Sequence, residues 1–384
     1  MPNDPVEALV LRARTLSAEV LAPRAEQTDA EALWPAEQLQ AIAAAGLLGL
    51  HVPRRLGGHG LGLAALARIA EELAVGCSSS AMCYAMHCVG TAVIAAKATP
   101  FQEQRYLAPI AQGRHITSLA LSEPGTGANF YLPRTTFRRT GRGFALQGEK
   151  SFVTNGGHAD SYVVSAVLRD EQIDPGTFTC LLVDSTAPGL DWGPPWAGFG
   201  MRGNSSRRMM LNGATLPPGN LLGTEGDQDW YVFEVVAPYF LVAMSGVYLG
   251  LAEAALRTAV SHLQARVHVH TGEPLMAQPL LVEQIADLWR LVARTRQFVA
   301  HAAGLWDAGA PGANAALFAA KVDVAEACVS AANSAMMLLG GRGYEEHGKA
   351  GRLLRDAQAA HVMGPTTHIL KTWLGRTVLG LPPF

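Results

Sequence analysis

The chain has 384 residues, enough for two or three packed domains rather than one core. Hydrophobic residues make up 49% and charged residues only 16%, against roughly 25% charged in an average soluble domain, which excludes a disordered chain. The formal net charge of −2 leaves no basic footprint for nucleic acid. So little charge also suggests that part of the surface is covered by further copies of the chain.

Five cysteines, Cys77, Cys83, Cys88, Cys180 and Cys328, are odd in number and follow no disulfide-rich pattern, which fits reduced thiols and a cytoplasmic setting. The first residues, MPNDPVEALVLRARTLSAEV, carry acids and no long apolar run, so no signal peptide is expected. Between Glu234 and Glu253 no charge occurs, close to the roughly 20 residues that span a bilayer. Pro238, Ser245, Gly246 and Gly250 interrupt that stretch and no basic flank bounds it. It reads as a buried bundle helix whose small residues let a second helix approach, with no membrane partner.

In chain order, Pro35 marks a first helical turn, Leu39, Ile42 and Ala43 form an apolar stripe, and Gly46 stops it. Pro53 to Gly62 is a glycine-rich loop. Leu63 to Leu73 and the alanine-rich run through Ala95 are helical again. From about Thr117 the period changes. Thr135 to Arg139 and Phe144 to Gln147 flank a Thr140-Gly141-Arg142-Gly143 hairpin signal. Ser161 to Leu168, Thr177 to Asp184 and Arg208 to Leu211 are further β-rich runs. The acidic TEGDQD stretch after Gly223 is a linker. Long helices follow over Tyr231 to Val267, Leu280 to Leu305, and from an Asn314 N-cap to a Gly340-Gly341 stop. Another helical piece follows Lys349. The expected architecture is α+β: an N-terminal helical domain (1–116), a middle β-barrel domain (117–225) and a C-terminal four-helix-bundle domain (226–384).

Several blocks, in order, resemble the acyl-CoA dehydrogenase family of flavoproteins. Leu119-Ala-Leu-Ser-Glu-Pro-Gly-Thr-Gly-Ala-Asn129 is similar to the family's TEPxAGSD loop, and Gly148-Glu-Lys-Ser-Phe-Val-Thr-Asn-Gly156 to its GxKxWITN strand. Leu216 to Gly223 looks like the segment leaving the β domain. Leu339 to Tyr344, followed by Arg352 to Ala357, resembles its GGxGY…RLxRDA run. The resemblance covers nearly the whole chain and implies FAD as cofactor.

A flavin that accepts hydride gains charge at its pyrimidine edge, where backbone N–H groups of a Gly/Pro-shaped loop can be aimed. The resemblance places Leu121 and Ser122 there, Gly127 among the further cofactor-binding residues, Phe152 in place of a ring-packing Trp, and Thr154 near the flavin N5. It implies further FAD contacts from Gly340, Gly341 and Thr366, partly across a subunit boundary in a homotetramer or homodimer. The usual Gln before the glycines is Met337, and the family's RxxFG is blurred, leaving Arg266 or His268 for the pyrophosphate. The substrate pocket would include Ala128, Tyr239, Phe240, Met363 and Gly364; Ala128 replaces a Ser and Asn129 an Asp of the family loop.

Dehydrogenation needs a base for the α-proton, and a buried carboxylate suits that role. The family's Glu falls at Met363, and the alternative position on the first bundle helix falls at Phe240, or Tyr239 with a one-residue slip. Neither is a carboxylate. His361 and His368 are the candidate replacements.

Three functions follow. The first is an FAD-dependent oxidoreductase acting on an acyl-CoA or carrier-protein-bound acyl group, with an electron-accepting flavoprotein as partner. The second is a monooxygenase of the same fold using O2 on a free small molecule, since Gly364-Pro365 resembles a turn of such relatives. The third is a non-catalytic binding protein. Cys83, His87 and Cys88 lack a fourth metal ligand and read as buried core groups, and His268-x-His270 as a solvated loop. Arg342, Arg352 and Arg355 are expected to pair with Glu345, Glu346 or Asp356.

Overall fold

Helices occupy both ends of the chain and strands its middle. The computed structural model describes residues 5–127, 132–169 and 178–383. The opening helices are α1 (Pro5–Leu16), α2 (Ala22–Ala30), α3 (Ala36–Ala44), α4 (Leu63–Gly76), α5 (Ser78–Ala96), and the short α6 (Pro100–Gln102) and α7 (Ala108–Ala111). Strands β1 (Thr117–Ala120), β2 (Thr136–Thr140), β3 (Gly143–Val153), β4 (Ser161–Leu168), β5 (Thr179–Asp184), β6 (Leu190–Trp192) and β7 (Arg207–Leu216) come next. Then follow α8 (Gln228–Trp230), α9 (Ala237–Ala265), α10 (Pro279–Asp307), α11 (Ala313–Leu339), α12 (Lys349–Val362) and α13 (Thr367–Val378).

Proline sets three irregularities in these helices. Wide π turns at Ser17–Leu21, Glu103–Leu107 and Tyr231–Val236 each run into a helix whose second residue is Pro23, Pro109 or Pro238. Proline lacks the N–H that would bond the carbonyl four residues back, so the hydrogen-bond register slips there. The helix expected from Tyr231 forms over Tyr231–Ala265, with the π turn as its opening and α9 as its continuation. Helix α11 also begins differently from expectation: Gly312, at φ +80°, is its N-cap, and Asn314 lies inside the first turn. A left-handed entry favours glycine over asparagine.

The strands curl into one sheet ordered β1-β4-β2-β3-β7-β6, with β5 also paired to β4. β4 runs parallel to β1 and β2; the other pairings are antiparallel. The alternation along β4 divides the core. Tyr162, Val164 and Ala166 face the sheet's own cluster with Phe137, Leu146 and Met209, whereas Val163 and Val167 join the helical core.

Ser78–Ala96 and Tyr231–Ala265 are both long and apolar enough to cross a membrane, yet 89% and 83% of their most apolar windows are buried inside the protein. They are core helices. α9 lies directly on α4 because Gly246 and Gly250 leave no side chain between them. A Cβ at 246 would stand 2.6 Å from the Ala67 carbonyl oxygen, and one at 250 would stand 2.1 Å from that of Glu71.

A buried ion pair ties the segment after β1 to β3. Lys150 is fully buried, and its ammonium donates to Glu123 Oε1 (2.6 Å), Ser165 Oγ (3.0 Å) and the Leu121 carbonyl (3.4 Å). Glu123 also accepts the backbone N–H of Arg134 at 2.6 Å and of Thr135 at 3.1 Å. Burial works against the Glu123 carboxylate, but the Lys150 charge and these donors outweigh it and hold its pKa below the ordinary value.

Gly250→Ala is expected to destabilise the fold by about 1–3 kcal/mol through overpacking. Gly304→Ala, in α10 with open space around it, should instead stabilise by about 0.5–1 kcal/mol. Thermal unfolding of both variants checks the pair. Lys150→Met should cost about 3–5 kcal/mol by leaving a buried carboxylate unpaired, and the Glu123→Gln/Lys150→Met double variant should recover part of that loss in denaturant titrations.

Candidate active site

A cavity of about 740 Å³ opens where the sheet, the start of α9 and the turn between α12 and α13 meet. Leu121, Ser122 and Gly127 enter it from the segment after β1, and Ser151, Phe152 and Thr154 from the end of β3. The Ser151 N–H donates to the Ser122 carbonyl at 2.7 Å, so the two segments approach as a ladder. Ser118 Oγ donates to the Thr154 carbonyl at 2.7 Å and fixes the strand end.

Phe152 (φ +55°) and Asn155 (φ +60°) hold left-handed backbone conformations uncommon for non-glycine residues. The surroundings impose them. Asn155 gives its N–H to the Asn204 carbonyl (3.0 Å) and its amide N–H to the Cys83 carbonyl (2.9 Å), and its Oδ1 accepts from Trp34 Nε1 (2.9 Å). The N-terminal helical segment thus grips the strand end. Phe152 is turned outward, 67% exposed, and stands edge-on to Trp196 with ring centroids 6.2 Å apart.

The hydroxyls of Ser122 and Thr154 line the cavity and have no hydrogen-bond partner among the described residues. Unpartnered donors beside an otherwise apolar slot suit the heteroatom edge of a flat ring. The residues present therefore fit a flavin.

The facing wall comes from the helices. Val236 contributes from the end of the π turn, Phe240 and Leu241 from the start of α9, His361 from the last turn of α12, and Met363, Gly364 and Thr366 from the α12–α13 turn. Met363 Sδ accepts from the Tyr248 hydroxyl at 3.0 Å. Thr366 both lines the cavity and caps α13, its hydroxyl accepting the Ile369 N–H. His361 Nδ1 lies 2.9 Å from Thr367 Oγ1. Burial and then the charge of Lys321 push its imidazole pKa below the ordinary value.

Among the described residues lining the cavity, the titratable side chains are Glu123, Arg355 and His361. Glu123, a carboxylate not foreseen in this wall, is committed to Lys150. Arg355 departs from its expected pairing with Glu345, Glu346 or Asp356. It forks onto Asp29 of α2 and also reaches the Phe199 carbonyl at 3.1 Å. Asp356 accepts instead from Ser78 Oγ and, at 2.6 Å, from the Met201 N–H.

The other expected positions fall elsewhere. Phe240 lines the cavity, whereas Tyr239 packs edge-on against His51 at 4.9 Å. His368 is exposed and outside the lining. Arg266 and His268 lie on the exposed segment after α9, and Gly340 and Gly341 on the exposed turn after α11. Ala128 and Asn129 lie outside the described residues. His87 is a satisfied core histidine: Nδ1 accepts the Thr117 N–H at 3.1 Å, and Nε2 is 3.0 Å from the Leu48 carbonyl. Two contributors had no role in the sequence reading, Trp34 and Tyr248. A lone aromatic on a helical pattern signals only core, and nothing in its spacing announces a polar contact made far along the chain.

Family models for the acyl-CoA dehydrogenase N-terminal, middle and C-terminal domains match residues 3–114, 118–214 and 240–379. An acyl-CoA dehydrogenase of Bacillus subtilis is 30% identical over 372 residues, covering 96% of each chain. The cyclohex-1-ene-1-carbonyl-CoA dehydrogenase of Geobacter metallireducens is 30% identical over 369 residues, covering 95% of this chain and 96% of its own. Among solved structures, butyryl-CoA dehydrogenase from Megasphaera elsdenii superposes with a TM-score of 0.91 at 24% identity, covering 99% of each chain. PigA, solved with FAD and proline, superposes with a TM-score of 0.89 at 20% identity, again over 99% of each chain. With three domain models matched in order on this fold, the chain belongs to the acyl-CoA dehydrogenase family.

Proposed function

We propose that this protein is an FAD-dependent acyl thioester dehydrogenase in which His361 replaces the carboxylate base. One observation carries the reading. In the cavity that presents the Ser122 and Thr154 hydroxyls, His361 is the titratable lining side chain, among the described residues, that no ion pair engages. FAD supplies the acceptor for the substrate's β-hydride.

The chain's own groups do the rest. Leu121, Ser122 and Thr154 hold the ring edge, flanked by Gly127 and Phe152. Met86, Val236, Phe240, Leu241 and Met363 form an apolar lining that excludes water and suits an acyl chain. In the tautomer whose Nδ1–H donates to Thr367 Oγ1, His361 keeps a lone pair on Nε2 to accept the α-proton. Gly364 and Thr366 shape the turn that carries this wall.

Arg266, His268, Gly340 and Gly341 sit on exposed ends of the bundle helices, a placement that suits contact with the FAD of a neighbouring copy in a homotetramer or homodimer. The acyl group is carried on CoA or on a carrier protein, and an electron-accepting flavoprotein takes the electrons. Five buried free cysteines agree with a reducing, cytoplasmic compartment.

Anaerobic titration of the yellow protein with a panel of acyl-CoAs should bleach the flavin. No bleaching by any thioester, with hydroxylated product formed only with O2 and a reductase, would instead identify an oxygenase. His361→Asn should slow flavin reduction by about 10²–10⁴-fold, whereas His368→Ala should leave it within about twofold. Because the imidazole must be neutral to accept a proton, the rate should rise with pH through a midpoint below 6.5 and level off above it. Stopped-flow reduction across pH 5–8 reads that limb directly.

A further inference from the structure

Behind the His361–Met363 wall lies a lysine that the reaction does not touch. Lys321, on α11, is fully buried. Its ammonium donates to the Ala360 carbonyl at 2.9 Å and stands 5.3 Å from the centre of the Tyr248 ring. No carboxylate among the described residues forms an ion pair with it. A buried ammonium without a counter-ion is unfavourable, and an apolar side chain of the same length would fill the space without that penalty.

The geometry shows what compensates it. Ala360 belongs to the last turn of α12, where carbonyls have lost their intrahelical partners and the helix dipole is negative. Pro365, further on, has no N–H to offer those carbonyls. The Tyr248 ring face adds a cation–π contact, and the Tyr248 hydroxyl reaches on to Met363 Sδ. One buried group on α11 and one on α9 thus hold both sides of the short segment that carries His361.

We infer that Lys321 is a positioning residue: from behind the wall it clamps the end of α12, so that His361 meets the cavity as a neutral imidazole. This rests on the reading of His361 as the base. The groups around that imidazole agree with it. Burial and the Lys321 charge disfavour its protonation, Glu326 on α11 favours it, and Lys371 and His368 on α13 disfavour it. Glu326 is itself paired with Lys371, which blunts its influence. Burial lowers the Lys321 pKa to about 8, so Lys321 remains mostly cationic at neutral pH.

The test is the His361 titration followed by NMR of histidine-labelled, FAD-loaded protein, with the resonance assigned by its loss in His361→Asn. Lys321→Met should raise the His361 midpoint by about one unit. It should also shift the acid limb of flavin reduction upward by the same amount, while Lys321→Arg, which keeps the charge, should stay near the parent value. An unchanged midpoint in Lys321→Met overturns the inference. If Lys321→Met does not fold, Lys321→Gln, which keeps an N–H for the Ala360 carbonyl but no charge, takes its place: an upward shift of the His361 midpoint supports the clamp, and an unchanged one overturns it. The NMR arm does not depend on turnover. Failure of any acyl-CoA to reduce the flavin would therefore count against the dehydrogenase reading alone.

Discussion

The Glu123–Lys150 pair is the joint on which the site depends. Glu123 belongs to the segment after β1 that carries Leu121 and Ser122, and Lys150 to the strand that ends at Thr154. Both charges are removed from water, so their separation is set by short, fully satisfied hydrogen bonds rather than by flexible surface attraction. Because the ammonium also reaches the Leu121 carbonyl and Ser165 on β4, two strands and the segment after β1 are referenced to one atom. The cavity's hydroxyls inherit their spacing from that atom.

Much of this was legible from sequence because it is local. The Leu63 segment follows a helical period, the Ser161 segment is a short β-rich run, the Thr140–Gly143 turn is a hairpin signal, and the SEPGTG and GEKSFVTN blocks lie where the cavity forms. The π turns were not foreseen, although their cause is visible: each follows from a proline at the second position of the next helix. What hid them is that periodicity reads which face a residue occupies, not how many residues complete a turn. The Asn314 cap was misplaced for a related reason. A good capping side chain competes with a glycine two residues earlier whose left-handed φ starts the helix by itself.

The contacts that stayed hidden are long-range. Trp34 reaches Asn155, Arg355 reaches Asp29, and Tyr248 reaches Met363; no pattern within one segment implies any of them. Three-dimensional placement also separates pairs of candidates that sequence left equal. A one-residue slip on a helix turns a side chain through about 100°, which is why Phe240 enters the cavity and Tyr239 does not. His361 and His368 lie on opposite sides of the Gly364-Pro365 turn, and only the first stays on the cavity's side of it.

The close seating of α9 on α4 has an effect beyond stability. The first turns of α9 form the cavity's apolar floor, while Gly246 and Gly250 further along rest on the backbone of α4 with no compressible side chain between. That helix is the fixed jaw of a vice. Under the proposed dehydrogenase reading, adaptation of the chamber to longer or bulkier acyl groups, by natural drift or by redesign, is left to the opposite jaw after α12 and to side-chain size at positions 236–241.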